Sequence, residues 1–448
     1  MAEPTLPIAV RAAEPPGIGR TVRRVYIASG LALACNQAFT LLIFVVLPAA
    51  QAGLVNWGTA VCALLFYVLD AGIETAVVIA AKRQPLPLRT MVAVVSAFRV
   101  AAGVIAMGAW SLGVLTGRLG SAEALVLALI GASNLVRLVQ TPFSAALQVR
   151  DRQPEAAFIN VLPAAVRLIG IGILVVIHAI SIESILITAL VGDGAGLVLM
   201  ALVAGGQTYP RDAPITARKL ARGLLSAAPM ITASQAAVIA QSRVDWLLVA
   251  AFASYTAVAN YALANKAVEL IVLAGSIFGR AALPWFVEGW ASRDIGSTVR
   301  YLIAVTTAAG LILATAGWPV LHLVTGEKYA GAAPLIPILA ALGPALVLFQ
   351  VVQFAVVGQG AARHVVVAGG SALVAQVATD LFAIPRYGAL GATFGMCAFA
   401  AISLPVLLGL ARRDAILSSG PARELLLGAG LLPVVLGAFF MVQRAAQV

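Results

Sequence analysis

The chain is poor in charged residues. Only 10% of its 448 residues are Asp, Glu, Lys or Arg, and its mean hydropathy is +1.00. Soluble domains carry about 25% charged residues, which provide the polar surface over their apolar core. The composition therefore excludes an ordinary soluble domain and predicts a polytopic membrane protein.

Cysteine and histidine are also scarce. The three cysteines lie in apolar stretches, which excludes a disulfide framework and gives no metal-ligand spacing. The three histidines are far apart in the sequence, so neither a metal site nor a catalytic triad is expected. The chain has no Walker-type phosphate loop, which excludes ATP hydrolysis within it. We therefore expect no cofactor.

Long apolar runs occupy most of the chain. A membrane-spanning helix needs about 20 mostly apolar residues, and thirteen stretches meet this requirement. They lie near 24–47, 53–81, 90–112, 122–145, 156–178, 182–206, 223–251, 258–283, 299–324, 333–357, 362–384, 388–410 and 424–442. The connections between them are short, and none is long enough for a soluble catalytic domain. A membrane glycan polymerase needs a sizeable outer loop for its acceptor, so we expect that the protein is not an enzyme.

The net charge of +11 is explained by topology. With the N-terminus in the cytoplasm, nineteen of the 29 Lys and Arg residues fall in cytoplasmic segments and six lie inside spans. The four on the opposite side are Arg118, Lys328, Arg386 and Arg444. Positive residues are retained on the cytoplasmic side of membrane proteins. The charge excess therefore indicates a cytoplasmic N-terminus and implies no nucleic-acid partner.

Two segments of the chain resemble each other. LPAAQAGLVNWGTAV (47–61) and AFASYTAVANYALAN (251–265) each lie at an outer turn between two predicted helices, in the same orientation. This indicates a parallel repeat of two six-helix halves. The expected fold class is an all-α polytopic membrane protein of two six-helix bundles plus an extra C-terminal helix, with roughly 12–14 spans. The expected parts are a cytoplasmic tail at 1–22, an N-terminal lobe at 23–206, a cytoplasmic connector at 207–222, a C-terminal lobe at 223–411, and a cytoplasmic loop with a thirteenth helix at 412–448.

Twelve ionisable side chains fall inside the predicted spans. Each costs about 2.5–3.5 kcal/mol at the centre of a membrane helix, so most must face a cavity or one another. The basic set is Arg99, Arg137, Arg167, Arg243, Lys266 and Arg280, and the acidic set is Asp70, Glu74, Asp193, Asp245, Glu269 and Asp380. The two sets balance, so a cationic cavity requires that they are segregated in space.

The basic side chains have two interpretations. Those of the N-terminal half, Arg99, Arg137 and Arg167, either grip phosphate, which guanidinium geometry favours, or pair with Asp70, Glu74 and Asp193. In the C-terminal half Lys266 and Glu269 are three residues apart on a helix and can pair with each other. The candidate substrate-binding residues are Arg99, Arg137, Arg243, Lys266 and Glu269.

Four acidic side chains are candidates for ion coupling. Asp70 and Glu74 are four apart on one helix face, and they form either a proton or cation site or the partners of nearby bases. Asp193 lies among glycines, which indicates either a loosened helix or a small-residue packing face. Asp245 is the fourth candidate.

Several motifs resemble one known family. They are LPAAQAGLVNW at the first outer turn, VLDAGIE in the second helix, DWLLVAAFASYTAVANYALANKAVEL across the seventh and eighth helices, and IPRYGALGAT at 384–393. In their order and spacing they resemble the Wzx-like polysaccharide flippases of the multidrug/oligosaccharidyl-lipid/polysaccharide (MOP) exporter superfamily. The resemblance covers nearly the whole chain.

The resemblance implies a function and a location. The implied substrate is an undecaprenyl-pyrophosphate-linked oligosaccharide, moved across the bacterial inner membrane for surface or exopolysaccharide biosynthesis. The implied site is a central cavity between the lobes, where basic residues meet the pyrophosphate. Membrane lipids and other polysaccharide-assembly membrane proteins are candidate partners. The alternative is a cation-coupled multidrug exporter of the same superfamily, which the six acidic residues within the spans favour.

Overall fold

The computed structural model describes residues 18–70, 88–117, 119–149, 152–205, 233, 236, 239–287 and 295–414. Within these residues every regular element is helical. The helices are α1 (Ile18–Val46), α2 (Ala49–Asp70), α3 (Leu88–Leu115), α4 (Ser121–Val149), α5 (Gln153–Ile159), α6 (Val161–Val176), α7 (Ile182–Gly205), α8 (Val244–Phe252), α9 (Tyr255–Val287), α10 (Ile295–Thr325), a 3-10 helix (Gly326–Ala332), α11 (Leu335–Gly358), α12 (Ala362–Tyr387) and α13 (Ala389–Arg413).

Eleven helical segments of the described chain are long and apolar enough to cross a membrane. Hydrocarbon offers no hydrogen-bond partners, so a spanning segment must satisfy its backbone internally, and a helix does this. These segments coincide with eleven of the thirteen predicted spans. The predicted seventh span is described mainly over α8, and the thirteenth lies outside the described residues.

The fifth predicted span differs from the prediction of one continuous helix. It consists of α5 and α6, which meet at Asn160. Pro163 has no amide hydrogen for the carbonyl group of Ile159, so the ladder of helical hydrogen bonds is interrupted there. The Asn160 side chain instead accepts a hydrogen bond from Gln140 Nε2 at 3.0 Å.

The helices form two lobes. Helices α1–α7 pack mainly with one another, as do α8–α13, and the main contact between the two groups is α2 against α9. The predicted division into two bundles is thus the observed architecture, while the exact residue boundaries stay a prediction. Helix α11 is apolar on all sides, and 18 of its 24 residues are buried.

The lobes meet at the ends of their helices that are predicted to face outside. A Cβ atom on Gly53 of α2 would lie 1.7 Å from the backbone oxygen of Tyr255, at the start of α9. Lys328 Nζ donates to the carbonyl oxygens of Phe44 (2.9 Å) and Val45 (3.2 Å), near the C-terminal end of α1. The two segments of the internal repeat therefore contact each other and close the predicted outer end.

Candidate functional site

A cluster of four polar side chains lies inside the N-terminal lobe. Asp193 of α7 accepts hydrogen bonds from Ser133 and Arg137 of α4 and from Arg167 of α6. The distance from Arg137 Nε to Asp193 Oδ1 is 3.1 Å. The carboxylate side chain is only 2% exposed and that of Arg167 only 9%, whereas that of Arg137 is 46% exposed. We call these four residues the N-terminal cluster.

Small residues bring α7 close enough to α6 for this pairing. A Cβ atom on Gly192 would lie 2.8 Å from the carbonyl oxygen of Pro163 and 3.1 Å from Cγ of Arg167. Helix α7 continues unbroken through Asp193. Gly192 and Gly196 therefore belong to a packing face against α6, and the alternative of a loosened helix does not apply in this conformation.

A second charged cluster lies in the C-terminal lobe. Lys266 Nζ lies 2.5 Å from Glu269 Oε2, one helical turn along α9. Arg243 Nη1, just before α8, lies 3.6 Å from Glu269 Oε1, and the Arg243 guanidinium stacks 4.5 Å from the ring centre of Trp246. The side chains of Arg243, Lys266 and Glu269 are 23%, 13% and 25% exposed. We call these three residues the C-terminal cluster.

Helix α1 contacts both clusters. Arg167 Nη1 donates to Asn36 Oδ1 at 2.9 Å, and the side-chain amide of Gln37 faces the Glu269 carboxylate. These neighbouring residues carry no charge, and the sequence analysis did not single them out. Their only signal in the sequence is a pair of amides within an apolar run. They link the N-terminal cluster to the C-terminal cluster across the junction of the lobes.

A pair of carboxylates is buried in the C-terminal lobe. Asp245 accepts hydrogen bonds from the Tyr261 hydroxyl group and, at 2.9 Å, from the Trp246 backbone amide. Asp380 lies on α12, which packs against α8, the helix that carries Asp245, and both side chains are fully buried. Among the described residues, neither carboxylate oxygen of Asp380 has a hydrogen-bond partner, and the same is true of Gln376 Oε1 one turn earlier. We call Asp245 and Asp380 the carboxylate pair.

The remaining predicted site residues lie away from these three groups or outside the residues that the structure describes. Arg99 is fully buried on α3, so its guanidinium does not line an open cavity in this conformation. Asp70 ends α2, and nothing is described of its side chain; Glu74 lies outside the described residues. Of the nine predicted site residues, the structure groups Arg137 with Asp193, and Arg243 with Lys266 and Glu269.

Solved structures of transporters share this fold. No protein-family profile matches the chain, and no curated protein matches it. An inward-facing multidrug resistance MATE transporter of the MOP superfamily is similar over 89% of this chain and 99% of its own, with a TM-score of 0.64 and 16% identity. The lipid II flippase MurJ in an inward closed conformation is similar over 96% and 99%, with a TM-score of 0.66 and 12% identity.

A third structure is a MOP superfamily transporter from Pyrococcus furiosus whose binding pocket has reverse polarity. It is similar over 93% of this chain and 96% of its own, with a TM-score of 0.59 and 15% identity. The predicted fold class is therefore confirmed: the chain has the all-helical fold of MOP superfamily transporters. The neighbours are exporters and flippases, so the fold does not distinguish between these two functions.

Proposed function

We propose that the protein flips an undecaprenyl-pyrophosphate-linked oligosaccharide across the bacterial inner membrane for surface or exopolysaccharide biosynthesis. The observation that carries this proposal is the C-terminal cluster. It combines two cations with one carboxylate, and all three side chains are partly exposed next to the junction of the lobes. An accessible excess of positive charge suits an anionic headgroup, because guanidinium and ammonium groups donate strong hydrogen bonds to phosphate oxygens.

The physical task fits two lobes that move against each other. A sugar–pyrophosphate headgroup does not cross hydrocarbon unaided, because its hydrogen bonds to water would be lost. A polar cavity between the lobes replaces those hydrogen bonds while the lipid tail stays in the bilayer. The lobes are closed at the predicted outer end, through Gly53, Tyr255 and Lys328. Rocking of the lobes would then expose the same charged cluster to each side in turn.

The first test removes the cations of the C-terminal cluster. We expect Arg243→Ala and Lys266→Ala each to reduce export of surface polysaccharide at least about tenfold, because each removes a charge-assisted bond to phosphate. Export is measured by surface polysaccharide staining in a strain whose chromosomal copy is deleted, at matched membrane levels of the protein. The matched control is Arg386→Ala, because Arg386 is exposed and its guanidinium donates to the backbone of its own helix, at Phe382.

Two results would contradict the proposed function. One is normal surface polysaccharide in the deletion strain. The other is wild-type export from both Arg243→Ala and Lys266→Ala, which would remove the C-terminal cluster from the substrate site.

The carboxylate pair is our proposed site for the cation or proton that drives transport. Buried carboxylate oxygens normally have hydrogen-bond partners, and those of Asp380 have none among the described residues. A cation bound between Asp380 and Asp245 would offset their mutual repulsion, with Gln376 Oε1 as a further oxygen ligand. Hard monovalent and divalent cations prefer such oxygen donors. This extends the prediction for Asp245 to a residue on α12.

Cation binding is tested by the thermal stability of the purified protein. We expect sodium ions or protons to raise the melting temperature of the wild type, because a ligand that binds only the folded state stabilises it. Asp380→Asn should abolish that increase. Asp414→Asn is the control, because Asp414 lies outside the spans and pairs with Arg363 at 2.7 Å. An unchanged response in Asp380→Asn would contradict this site.

The carboxylate pair also favours a second candidate function. A cation-coupled multidrug exporter would use buried carboxylates both for its driving ion and to attract a cationic drug. Increased drug sensitivity of the deletion strain, together with normal surface polysaccharide, would favour this alternative over the flippase.

A further inference from the structure

The two charged clusters differ in how easily an anion from solution can reach their carboxylates. Each has two cations and one carboxylate, so each has a formal excess of one positive charge. Asp193 is enclosed, with 2% of its side chain exposed, while Glu269 is 25% exposed. A ligand can therefore approach the carboxylate of the C-terminal cluster, but not that of the N-terminal cluster.

The Glu269 carboxylate pairs with the cationic side chains that would otherwise bind an anionic headgroup. Its two oxygens are divided between the cations: Oε2 contacts Lys266 and Oε1 faces Arg243. The side-chain amide of Gln37, which comes from the other lobe, faces the same carboxylate. The two carboxylate oxygens of Glu269 face two cations and an amide. Two oxygens of a phosphate group would be arranged in the same way around these donors.

The bonds to Glu269 are unequal in length. Lys266 is close, at 2.5 Å, whereas Arg243 is 3.6 Å away and its guanidinium lies against Trp246. A distance of 3.6 Å is beyond a hydrogen bond, so the pairing of Arg243 with Glu269 is only electrostatic in this conformation. Arg243 therefore keeps hydrogen-bonding capacity for an incoming anion, and Glu269 is the group that such an anion must compete with.

We propose that Glu269 is an internal competitor for the anion site, which occupies Lys266 and Arg243 when no substrate is bound and is displaced when a diphosphate headgroup arrives. This inference rests on the proposed function, because it assumes an anionic cargo. No covalent bond changes: two ion pairs to Glu269 are exchanged for ion pairs to the ligand. The exchange keeps the two cations partnered at every stage and weakens the hold on the ligand, which favours its release.

The test measures binding of farnesyl diphosphate to the full chain in lipid nanodiscs. We expect Glu269→Gln to bind about tenfold more tightly than the wild type, because the competing charge is gone while a side chain of the same shape still accepts a hydrogen bond from Lys266. Farnesol, which lacks the diphosphate, should bind both proteins equally. Glu269→Asp retains the competing charge and should bind like the wild type.

Asp193→Asn is the matched control in the N-terminal cluster. Because Asp193 is enclosed, we expect no tightening of farnesyl diphosphate binding in this variant. If Glu269→Gln is poorly stable, the increase in melting temperature caused by farnesyl diphosphate gives the same comparison, and it should be larger in Glu269→Gln than in the wild type.

The outcomes separate this inference from the proposed function. Equal or weaker binding by Glu269→Gln, or equal tightening by Asp193→Asn, overturns the role of Glu269 even if the deletion strain lacks surface polysaccharide. Tighter binding by Glu269→Gln, without tightening by Asp193→Asn, supports that role. Normal polysaccharide export by the deletion strain would overturn the flippase function, but it would leave this support for the role of Glu269 unchanged. Absence of farnesyl diphosphate binding in both wild type and Glu269→Gln overturns the inference.

Discussion

The N-terminal and C-terminal clusters contain the same balance of charge in different surroundings. In both, one carboxylate is paired with two cations, and in both helix α1 supplies an amide from a neighbouring position. The N-terminal carboxylate joins three helices of one lobe and is enclosed by them. The C-terminal carboxylate lies within reach of a ligand, beside the junction of the lobes.

Burial decides what such a cluster can do. A buried ion pair cannot be opened without leaving a charge unpaired in a medium that solvates it poorly, so an enclosed cluster holds its helices together. A partly exposed cluster can exchange one partner for a ligand, because water and the ligand compensate the charges during the exchange. The enclosed pair of Arg167 and Asp193 is thus suited to structural support and the C-terminal cluster to binding.

The largest expected effect is the loss of stability when the buried carboxylate, Asp193, is removed. We expect Asp193→Ala to lower the free energy of unfolding by about 3–5 kcal/mol, because it leaves the buried Arg167 without its carboxylate partner. Glu269→Ala should cost less, about 1–2 kcal/mol, because its ion pairs are less enclosed than that of Asp193. Thermal unfolding of the two variants in the same detergent measures the difference.

An equal loss of stability in both variants would show that enclosure does not distinguish the clusters. Glu155→Ala provides a baseline, since Glu155 and its ion-pair partner Arg152 are 44% and 35% exposed. A loss for Glu269→Ala no larger than this baseline would sharpen the contrast, because it would leave the C-terminal cluster free for ligand exchange at little cost to the fold.

Most of the fold could be predicted from the sequence because the membrane simplifies it. In hydrocarbon, an apolar run of about 20 residues satisfies its backbone hydrogen bonds by forming a helix. The hydropathy of the sequence therefore located the spans closely. Hydropathy alone does not locate the break between α5 and α6, because a single proline among apolar residues does not alter the hydropathy of the run. Pro163 predicts a bend in its helix, but proline is tolerated within many membrane helices, so it does not predict a division into two helices.

The charged members of the site could be recognised in the sequence, but their uncharged partners could not. A charge in an apolar run is conspicuous, and the spacing of Lys266 and Glu269 predicted their pairing, which the structure contains. The pairing of Arg167 with Asp193 joins two helices, and no local spacing encodes it. Asn36 and Gln37 contrast too little with their surroundings to be noticed, and their role depends on how α1 packs between the lobes.

The smallest expected effect concerns this pair of amides and tests whether α1 treats the two clusters differently. Asn36→Ala removes an acceptor from the buried Arg167, so we expect a loss of about 1–2 kcal/mol in the free energy of unfolding and no change in farnesyl diphosphate binding. Gln37→Ala removes a donor from the more exposed Glu269 and should cost less than about 1 kcal/mol. Because Glu269 is then held less firmly, binding should tighten, but by less than in Glu269→Gln. Thermal unfolding and nanodisc binding of both variants provide the measurements, and tighter binding in Asn36→Ala instead would reverse the assignment of the two clusters.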